Sequence, residues 1–557
     1  MNLEVYNRFM PPVKKELADE IEKILGTGID VNDIERPEPE HGDFAYPCMK
    51  AASELGANPR ELAEKVRSQA QLDLIEEIEI AGPGYVNFFL DKAKYSQKVV
   101  SVLQSEAFGV EQREGSVLLE FSSPNIAKPM NVGHLRNNAI GDSLRRILSF
   151  TGYDVTAENY IGDLGTQFGK VIYGHKNIGS EKDFEEEPIE YMLDIYVKFH
   201  EKAEEKPELE EEARKWAKRI EEGDDEAVRL WKKFREATLQ YHKDEYNRLG
   251  IRFDRITGES KVYEKARELI EHWVEEGKLE RDDDGSVFYE FEDEDIPGAV
   301  VLKADGSTLY LTRDLYNLKK RNEEGFDHNL YVVASEQNLH FKQLFQIAED
   351  MSIDTGGAKH ISYGMLQLPE GSMSTRKGLI IEQSEIFDKA VNMAEEKAEK
   401  EINRHLENAE KIGIGAVKYS NLSVSRKKDM EFNWDTALSF KGDSGPYLQY
   451  SNVRAKSILR KASVSGELGE EFNDAEYQLV KKLSEFPRQV ERAAEDREPA
   501  KIANYLSGLC EEFNTFYHEC QVLESGRDRH RLKLVEMFVE VTDQGLDLLG
   551  IEPLEEM

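Results

Sequence analysis

Five short segments of this chain carry residue types and spacings that could do chemistry. The first, EFSSPNIAKPMNVGHLRNNAIGD (Glu120–Asp142), reads as a strand end, a polar loop and a helix start. A helix start is an anion site by geometry alone, because its free N–H groups and its dipole face the preceding loop. Lys128 adds a full positive charge there, Gly133 lets a nucleotide approach the backbone, and His134 can donate a hydrogen bond to a phosphate oxygen. The pattern is neither the dinucleotide glycine fingerprint nor a P-loop. The second segment, DGSTLYLTRD, sets Tyr310 and Asp314 four residues apart at the end of an expected strand. The third, ASEQNLHF (Ala334–Phe341), is again a polar loop after a buried strand. The fourth, GSMSTRKGLI from Gly371, is a basic loop of small hydroxyl residues with Arg376, Lys377 and Gly378, of the kind that closes on phosphates. The fifth, GDSGPYLQYSNVRAKSILRKA (Gly442–Ala462), joins Tyr447 and Tyr450 to Arg454, Lys456, Arg460 and Lys461, which suits stacking on unpaired bases plus phosphate contacts. A second basic cluster, GRDRHRLKL, lies near the end of the chain. Taken singly, each segment reads as well as a turn with capping polar residues, and tyrosines at helical spacing read as well as core.

The elements that must position these residues follow an α/β rhythm. Val117–Phe121 is a short apolar strand, and Leu135, Ala139, Ile140, Leu144, Ile147 and Leu148 line one face of the helix that follows, with Gly152 as its stop. This unit opens a nucleotide-binding α/β fold, in which ligands sit beyond the carboxyl ends of parallel strands. TLYLT and LYVVA read as further strands, so three polar loops converge on one crevice. The first 90 or so residues read as a small α+β module, with helices near Lys14–Leu25 and Pro59–Ala70 and a strand in IEIAGPGYVNFFL marked by a Gly-Pro-Gly turn. Lys92–Ser105 reads as a connecting helix. Ser180–Asn247 is acidic and helical, with Trp216, Leu230 and Trp231 as an apolar stripe, and reads as a solvated insertion without catalytic features. From about Ala390 helical periodicity dominates.

At 557 residues the chain is too long for one core, and its 39% hydrophobic and 33% charged residues give a soluble globular balance. It has no apolar stretch long enough for a membrane span and no secretory core at the N-terminus, so a cytoplasmic location is expected. The cysteines, Cys48, Cys510 and Cys520, are far apart and include no CxxC pair, so neither a zinc site nor a disulfide is expected. The net charge of −37 argues, by itself, against a polyanionic partner. Local basic patches answer that objection. The excess acid fits a salt-rich cytoplasm, where repulsion is screened over short distances, and equally fits solubility alone.

Together and in this order, the segments resemble arginyl-tRNA synthetases over nearly the whole chain. SSPNIAKPMNVGHLRN resembles that family's version of the class I HIGH region, and NYIGDLGTQFG, LYLTRD, SEQNLHF, MSTRKG and GPYLQY resemble further family segments. The run from EPAKIANYLSGLCEEFNTFYHECQVL to GLDLLGIEPLEEM is similar to the helical anticodon-binding domain, and EHGDFAYP, NPRELAEKV and GPGYVNFFL resemble the domain that contacts the tRNA elbow. The resemblance implies a multidomain α/β protein. Residues 1–110 would form the N-terminal α+β domain and 111–425 a Rossmann-like class I catalytic domain with a helical insertion at about 180–250. Residues 426–557 would form an all-α anticodon-binding domain.

It further implies ATP-dependent ligation of L-arginine to its tRNA through an arginyl-adenylate, with Mg²⁺ accompanying ATP, no zinc, no membrane, and a monomer. By resemblance, Glu120, Tyr310 and Asp314 hold the guanidinium, while Ser123, Asn125 and Gln337 orient the amino and carboxylate ends. Lys128, Asn131, Gly133, His134, Met373 and Ser374 meet ATP, with Arg376 and Lys377 as further candidates for charge. Asn87 is implied at the tRNA elbow, and Tyr447, Tyr450, Tyr517 and the terminal Met557 around the anticodon loop. Two departures stand out: Asn131 replaces the usual first histidine of the HIGH region, and the KMSK position reads Ser372-Met373-Ser374-Thr375 without lysine at either end. The first departure keeps a silent, tRNA-binding paralogue as an alternative. A small-molecule nucleotidyltransferase shares the G-H element but not the long helical C-terminus.

Overall fold

The computed structural model describes residues 13–179, 181–367, 381–402 and 407–557. In the N-terminal module, α1 (Val13–Leu25), α2 (Met49–Leu55) and α3 (Pro59–Gln69) accompany a three-stranded antiparallel sheet. Its strands are β1 (Phe44–Pro47), β2 (Ile75–Ala81) and β3 (Tyr85–Leu90), in the order β1-β3-β2. The Gly-Pro-Gly turn therefore joins two strands. IEEIEIA forms β2, an edge strand whose glutamates face water, which masks it in the sequence. Next, α4 (Lys92–Leu103) leads to the main sheet.

The main sheet starts with β4 (Ser116–Glu120), α5 (Val132–Phe150) and β5 (Asp154–Ile161). The insertion follows as α6 (Thr166–Asn177), α7 (Glu181–Glu186), α8 (Pro188–Glu205), α9 (Glu208–Glu221) and α10 (Asp225–Leu249), and then the chain enters β6 (Arg255–Gly258). After α11 (Tyr263–Glu275), β7 (Val287–Tyr289) and β8 (Ala299–Leu302) pair as an antiparallel hairpin. Then come α12 (Tyr310–Glu323), β9 (His328–Ala334), α13 (Asn338–Asp350) and β10 (Ala358–Tyr363). The five strands are parallel, in the order β10-β9-β4-β5-β6. From β4 the chain winds outwards through β5 to β6, then returns with β9 on β4's other edge. The winding reverses between β4 and β9, which is where such sheets open a ligand crevice.

One expected strand is a helix. TLYLT opens α12 at Tyr310, because Thr312 acts as its N-terminal lock: its hydroxyl oxygen accepts the Leu309 N–H at 2.9 Å and donates to the Val301 carbonyl at 2.6 Å. Aromatic and branched residues imitate a strand over so short a stretch. Tyr310 and Asp314 therefore lie one helical turn apart on one face.

Beyond the sheet, β11 (Leu366–Gln367) pairs in parallel with β12 (Met430–Glu431), and α14 (Gln383–Ile402), α15 (Ala409–Ser423) and α16 (Trp434–Ala437) lead to the C-terminal bundle. The bundle comprises α17 (Gly445–Lys461), α18 (Asp474–Leu483), α19 (Phe486–Asp496), α20 (Ala500–Glu519) and α21 (Asp528–Leu548). Cys48, Cys510 and Cys520 are buried and unpaired with one another. No described helix is long and apolar enough to cross a membrane.

Helix α5 holds these parts together. Its buried Arg136 donates to the Lys428 carbonyl at 2.8 Å and to the Arg426 carbonyl at 3.3 Å. Ser143 donates to the Leu548 carbonyl at 2.8 Å, and Arg146 bridges Asp142 at 2.8 Å and Asp547 at 2.7 Å. Beside them, the buried Lys418 ammonium donates to the carbonyls of Leu249 and Gly550, at the ends of α10 and α21. Against β4, α5 approaches so closely that a Cβ on Gly141 would lie 2.2 Å from the Phe121 ring. Gly141→Val is therefore expected to lower stability by about 1–3 kcal/mol through overpacking. Gly28→Val, where nothing lies within 4 Å, is the control. Thermal melts of both variants check this, and equal midpoints would contradict the close packing.

Candidate active site

The loop from β4 to α5 is strained and firmly held. Ser122, Ser123 and Ala127 adopt φ of 71°, 45° and 65°, left-handed conformations that cost a non-glycine residue about 1–2 kcal/mol each. The Ser122 N–H donates to the Asn137 side chain at 2.5 Å, and the Ser123 N–H to Asn159 at 3.2 Å. The insertion also takes part. Thr238 accepts the Ala127 N–H at 3.2 Å, Tyr246 bonds Ser122 at 2.7 Å and Asn159 at 2.9 Å, and the His242 ring meets the Lys128 carbonyl at 3.4 Å. Helix α10 thus buttresses the site, which corrects the expectation of a merely solvated insertion. The signal was present in the sequence: Thr238, His242 and Tyr246 recur every fourth residue along one face.

Asn131 is the N-cap of α5, with its side-chain oxygen accepting the Gly133 N–H at 3.0 Å. Its own N–H donates to His134 Nδ1 at 3.1 Å. That bond fixes the tautomer and leaves the proton on Nε2 as a donor. Burial pulls the His134 pKa down to about 4, and an N–H donor at Nδ1 also favours the neutral ring. His242 is held down to about 3 by burial and by its neighbour His134. The site therefore offers a neutral hydrogen-bond donor at a helix entrance. Lys128 places its ammonium 4.4 Å from the Tyr196 ring centroid on α8. Met373, Ser374, Arg376 and Lys377 lie outside the described residues. Glu382 bridges to Asn131 at the entrance of α5.

A cluster of acids lies at the same end of the sheet. Glu120 ends β4 and is in register with Glu158 on β5 and Tyr331 on β9. The guanidinium of Arg321, 1% exposed, lies 2.5 Å from both carboxylates. Its carbon stands 5.0 Å from the Tyr331 ring centroid. Burial lifts the Glu120 pKa to about 7 despite Arg321, with Glu158 and Asp314 pushing the same way. Burial opposes ionisation of Glu158 too, but Arg321, Arg255 at 3.0 Å and Thr257 hold its carboxyl below the ordinary value. Ser123 donates to the other oxygen of Glu120 at 3.3 Å. Asp314 meets His340 Nε2 at 2.7 Å, and Glu259 meets Arg313 at 3.2 Å. Tyr310 is 60% exposed at the rim, beside Arg313. Gln337 is exposed in the turn after β9, and Asn125 is exposed, in a bridge to Gly162. Glu120, Ser123, Tyr310 and Asp314 thus share one neighbourhood. Arg321, Glu158 and His340 belong to it as well; nothing local marks Arg321 or Glu158 in the sequence, whereas His340 stands in the ASEQNLHF segment without having been singled out there.

The expected RNA-facing residues divide. Tyr450, Tyr517 and Met557 line one cleft of about 650 Å³ together with Arg454, Arg460 and Lys461. The Arg454 guanidinium lies 4.8 Å from the Tyr450 ring centroid and 5.4 Å from that of Tyr517. Tyr447 is half-buried, its hydroxyl accepting from Asn514 at 2.7 Å. Asn87, expected at the tRNA elbow, sits in the central strand β3 at 4% exposure. The GRDRHRLKL cluster largely turns inward, with Arg527 and Arg531 pairing with buried Glu476 at 3.0 and 2.8 Å.

Residues 98–434 match the family described as tRNA synthetases class I (R), catalytic domain; residues 448–557 match the DALR anticodon binding domain, and 12–90 the arginyl tRNA synthetase N terminal domain. Among curated relatives, the arginine--tRNA ligase of Exiguobacterium sibiricum is 37% identical over 561 residues, covering 98% of this chain and 100% of the relative. That of Halothermothrix orenii is 38% identical over 566 residues, covering 98% and 99%. The solved arginyl-tRNA synthetase of Thermus thermophilus superposes with a TM-score of 0.77 at 25% identity, covering 98% of this chain and 100% of that one.

The His134 ring is expected to stay neutral, protonated at Nε2, from about pH 8 down to about pH 6, where an ordinary histidine gains charge. Histidine-labelled NMR, assigned against His134→Gln, reads this directly. A charged ring at the acid end would contradict the geometry at Asn131.

Proposed function

This chain belongs to the class I arginyl-tRNA synthetases, and we propose that Glu120, Tyr310 and Asp314 hold the guanidinium of L-arginine while the entrance of α5 receives ATP. The enzyme ligates arginine to its tRNA by way of an arginyl-adenylate. The observation that carries the pocket assignment is the meeting of Glu120 and Asp314, from segments far apart in the chain, beside the helix that His134 opens. A planar, permanently charged fork is matched by carboxylates that accept paired hydrogen bonds. Lysine brings a point charge and would leave acceptors unpaired in a buried site.

Arginine's own carboxylate is ionised at neutral pH, so activation needs no general base. That carboxylate attacks the α-phosphate of ATP in line, pyrophosphate leaves, and the terminal ribose hydroxyl of the tRNA then attacks the adenylate carbonyl and displaces AMP. In this reading Ser123, Asn125 and Gln337 orient the amino and carboxylate ends. The α5 entrance with Asn131, Gly133 and neutral His134 meets the phosphates, joined by Lys128 and by Met373, Ser374, Arg376 and Lys377. Catalysis is then positioning and charge stabilisation, with Mg²⁺ arriving as part of the ATP complex. The cleft of Tyr450, Tyr517 and Met557 receives the anticodon loop, with Tyr447 behind it, and the N-terminal module meets the tRNA elbow. The domain bounds 1–110, 111–425 and 426–557, a monomer and a cytoplasmic location complete the proposal.

Asp314→Ala is expected to raise the KM for arginine about ten- to a hundredfold, the cost of a lost charged acceptor, while ATP is spared. Pyrophosphate exchange with tRNA present measures both, and an unchanged arginine KM would remove Asp314 from the pocket. Arginine affinity should also fall as pH drops through about 7, because protonated Glu120 loses its charge and an acceptor site. Isothermal titration across that range checks the sign, and a flat profile contradicts it. At the far end of the molecule, Arg454→Ala should raise the KM for tRNA without altering that for arginine, in an aminoacylation assay with each substrate varied in turn.

A further inference from the structure

Of the acids at the carboxyl end of the sheet, Glu120, Glu158, Glu259 and Asp314 each have a basic partner from the chain itself. Glu120 and Glu158 share Arg321, Glu158 also has Arg255, and Glu259 has Arg313. Asp314 alone of the four is held by a histidine, His340, at 2.7 Å from Nε2 to Oδ2. The two residues stand in the opening turns of α13 and α12. The His340 ring lies edge-on to Phe341 at 5.4 Å, and Phe341 in turn stacks on His360 at 4.1 Å. His360 is itself anchored to the Val333 carbonyl at 2.9 Å. The charged or titratable groups facing His340 are Asp314 from α12, Glu120 from β4 and His360 from β10.

We propose that His340 is a positioning residue for arginine selection, gripping one oxygen of Asp314 so that the carboxylate meets the incoming guanidinium in a fixed plane. The proposal rests on the assignment of Asp314 to the guanidinium pocket. The residue type makes chemical sense. An arginine in this place would keep a permanent positive charge against Asp314 and compete with the substrate. An imidazole donates from Nε2 in either protonation state. When arginine brings its own charge, a neutral ring protonated at Nε2 still holds the carboxylate. Burial works against a charged ring, but the hydrogen bond to Asp314 and the nearby carboxylates hold its pKa above the ordinary value.

The test is pyrophosphate exchange with tRNA present, varying arginine and ATP in turn, on His340→Ala, His340→Gln, His340→Asn, Asp314→Ala and the double variant Asp314→Ala/His340→Ala. His340→Ala should raise the arginine KM about tenfold, the worth of one hydrogen bond to a charged group, with the ATP KM and the rate at saturating arginine nearly unchanged. Glutamine, whose amide nitrogen reaches the Nε2 position, should restore most of the loss, and the shorter asparagine should not. In the Asp314→Ala background the His340→Ala change should add nothing. An unaltered arginine KM in both His340→Ala and His340→Asn, alongside a defective Asp314→Ala, overturns the role of His340 and leaves the pocket assignment standing. So does an effect that persists undiminished without Asp314. A normal arginine KM in Asp314→Ala overturns the pocket assignment itself. If the alanine variant fails to fold, the contrast between glutamine and asparagine decides.

Discussion

The Arg321 guanidinium lies between Glu120 and Glu158, sealed from water beneath two tyrosine rings. A carboxylate buried without a partner is destabilising by several kcal/mol, about 3–5 when one member of a buried pair is removed. Arg321 therefore permits two acids to stand side by side on adjacent strands, and it fixes α12 against the sheet while doing so. Asp314 lies on that helix, two turns before Arg321. The interaction that tolerates Glu120 is thus the same one that brings Asp314 within reach of it. The arrangement of the acids and the placement of the helix are here a single problem.

The entrance of α5 has a different electrostatic character. Histidines 134 and 242 are both held neutral by burial, and the Asn131 side chain accepts the Gly133 N–H. In a chain of net charge −37, positive potential is confined to local features: the helix entrance, Lys128, and the Arg454–Arg460–Lys461 rim of the distant cleft. Lysines and arginines elsewhere are largely engaged with neighbouring acids, as around Glu476. The global charge and the local sites are compatible because fields between exposed charges fade over roughly 10 Å at moderate salt.

Much of this was legible in the sequence, for identifiable reasons. Strand β4, helix α5, strand β9 and the helical C-terminus repeat apolar residues at their own periods, whereas the roles expected of Glu120, Tyr310 and Asp314 came from the family resemblance and not from any local pattern. Strand β2 was hidden because its exposed face is acidic, and α12 because a threonine lock is a weaker signal than a run of Leu-Tyr-Leu. Arg321, 201 residues along from Glu120, gave no sign at all, since a pairing across that span leaves no local pattern. Tyr246 did have a signal, its fourfold spacing with Thr238 and His242, and His340 stood inside the ASEQNLHF segment, but neither spacing nor segment says which partner the side chain meets.

The attachments of α5 bear on how far the protein can be dissected. Arg136 holds carbonyls near residue 428, Ser143 holds Leu548, and Arg146 reaches Asp547, all of them beyond the sheet. A fragment ended after the main sheet would strand a buried guanidinium and a buried hydroxyl in the helix whose other end carries Asn131 and His134. The C-terminal bundle is therefore no detachable accessory. It supplies part of the interior of the domain before it, so that a recombinant fragment without it would inherit an incomplete core.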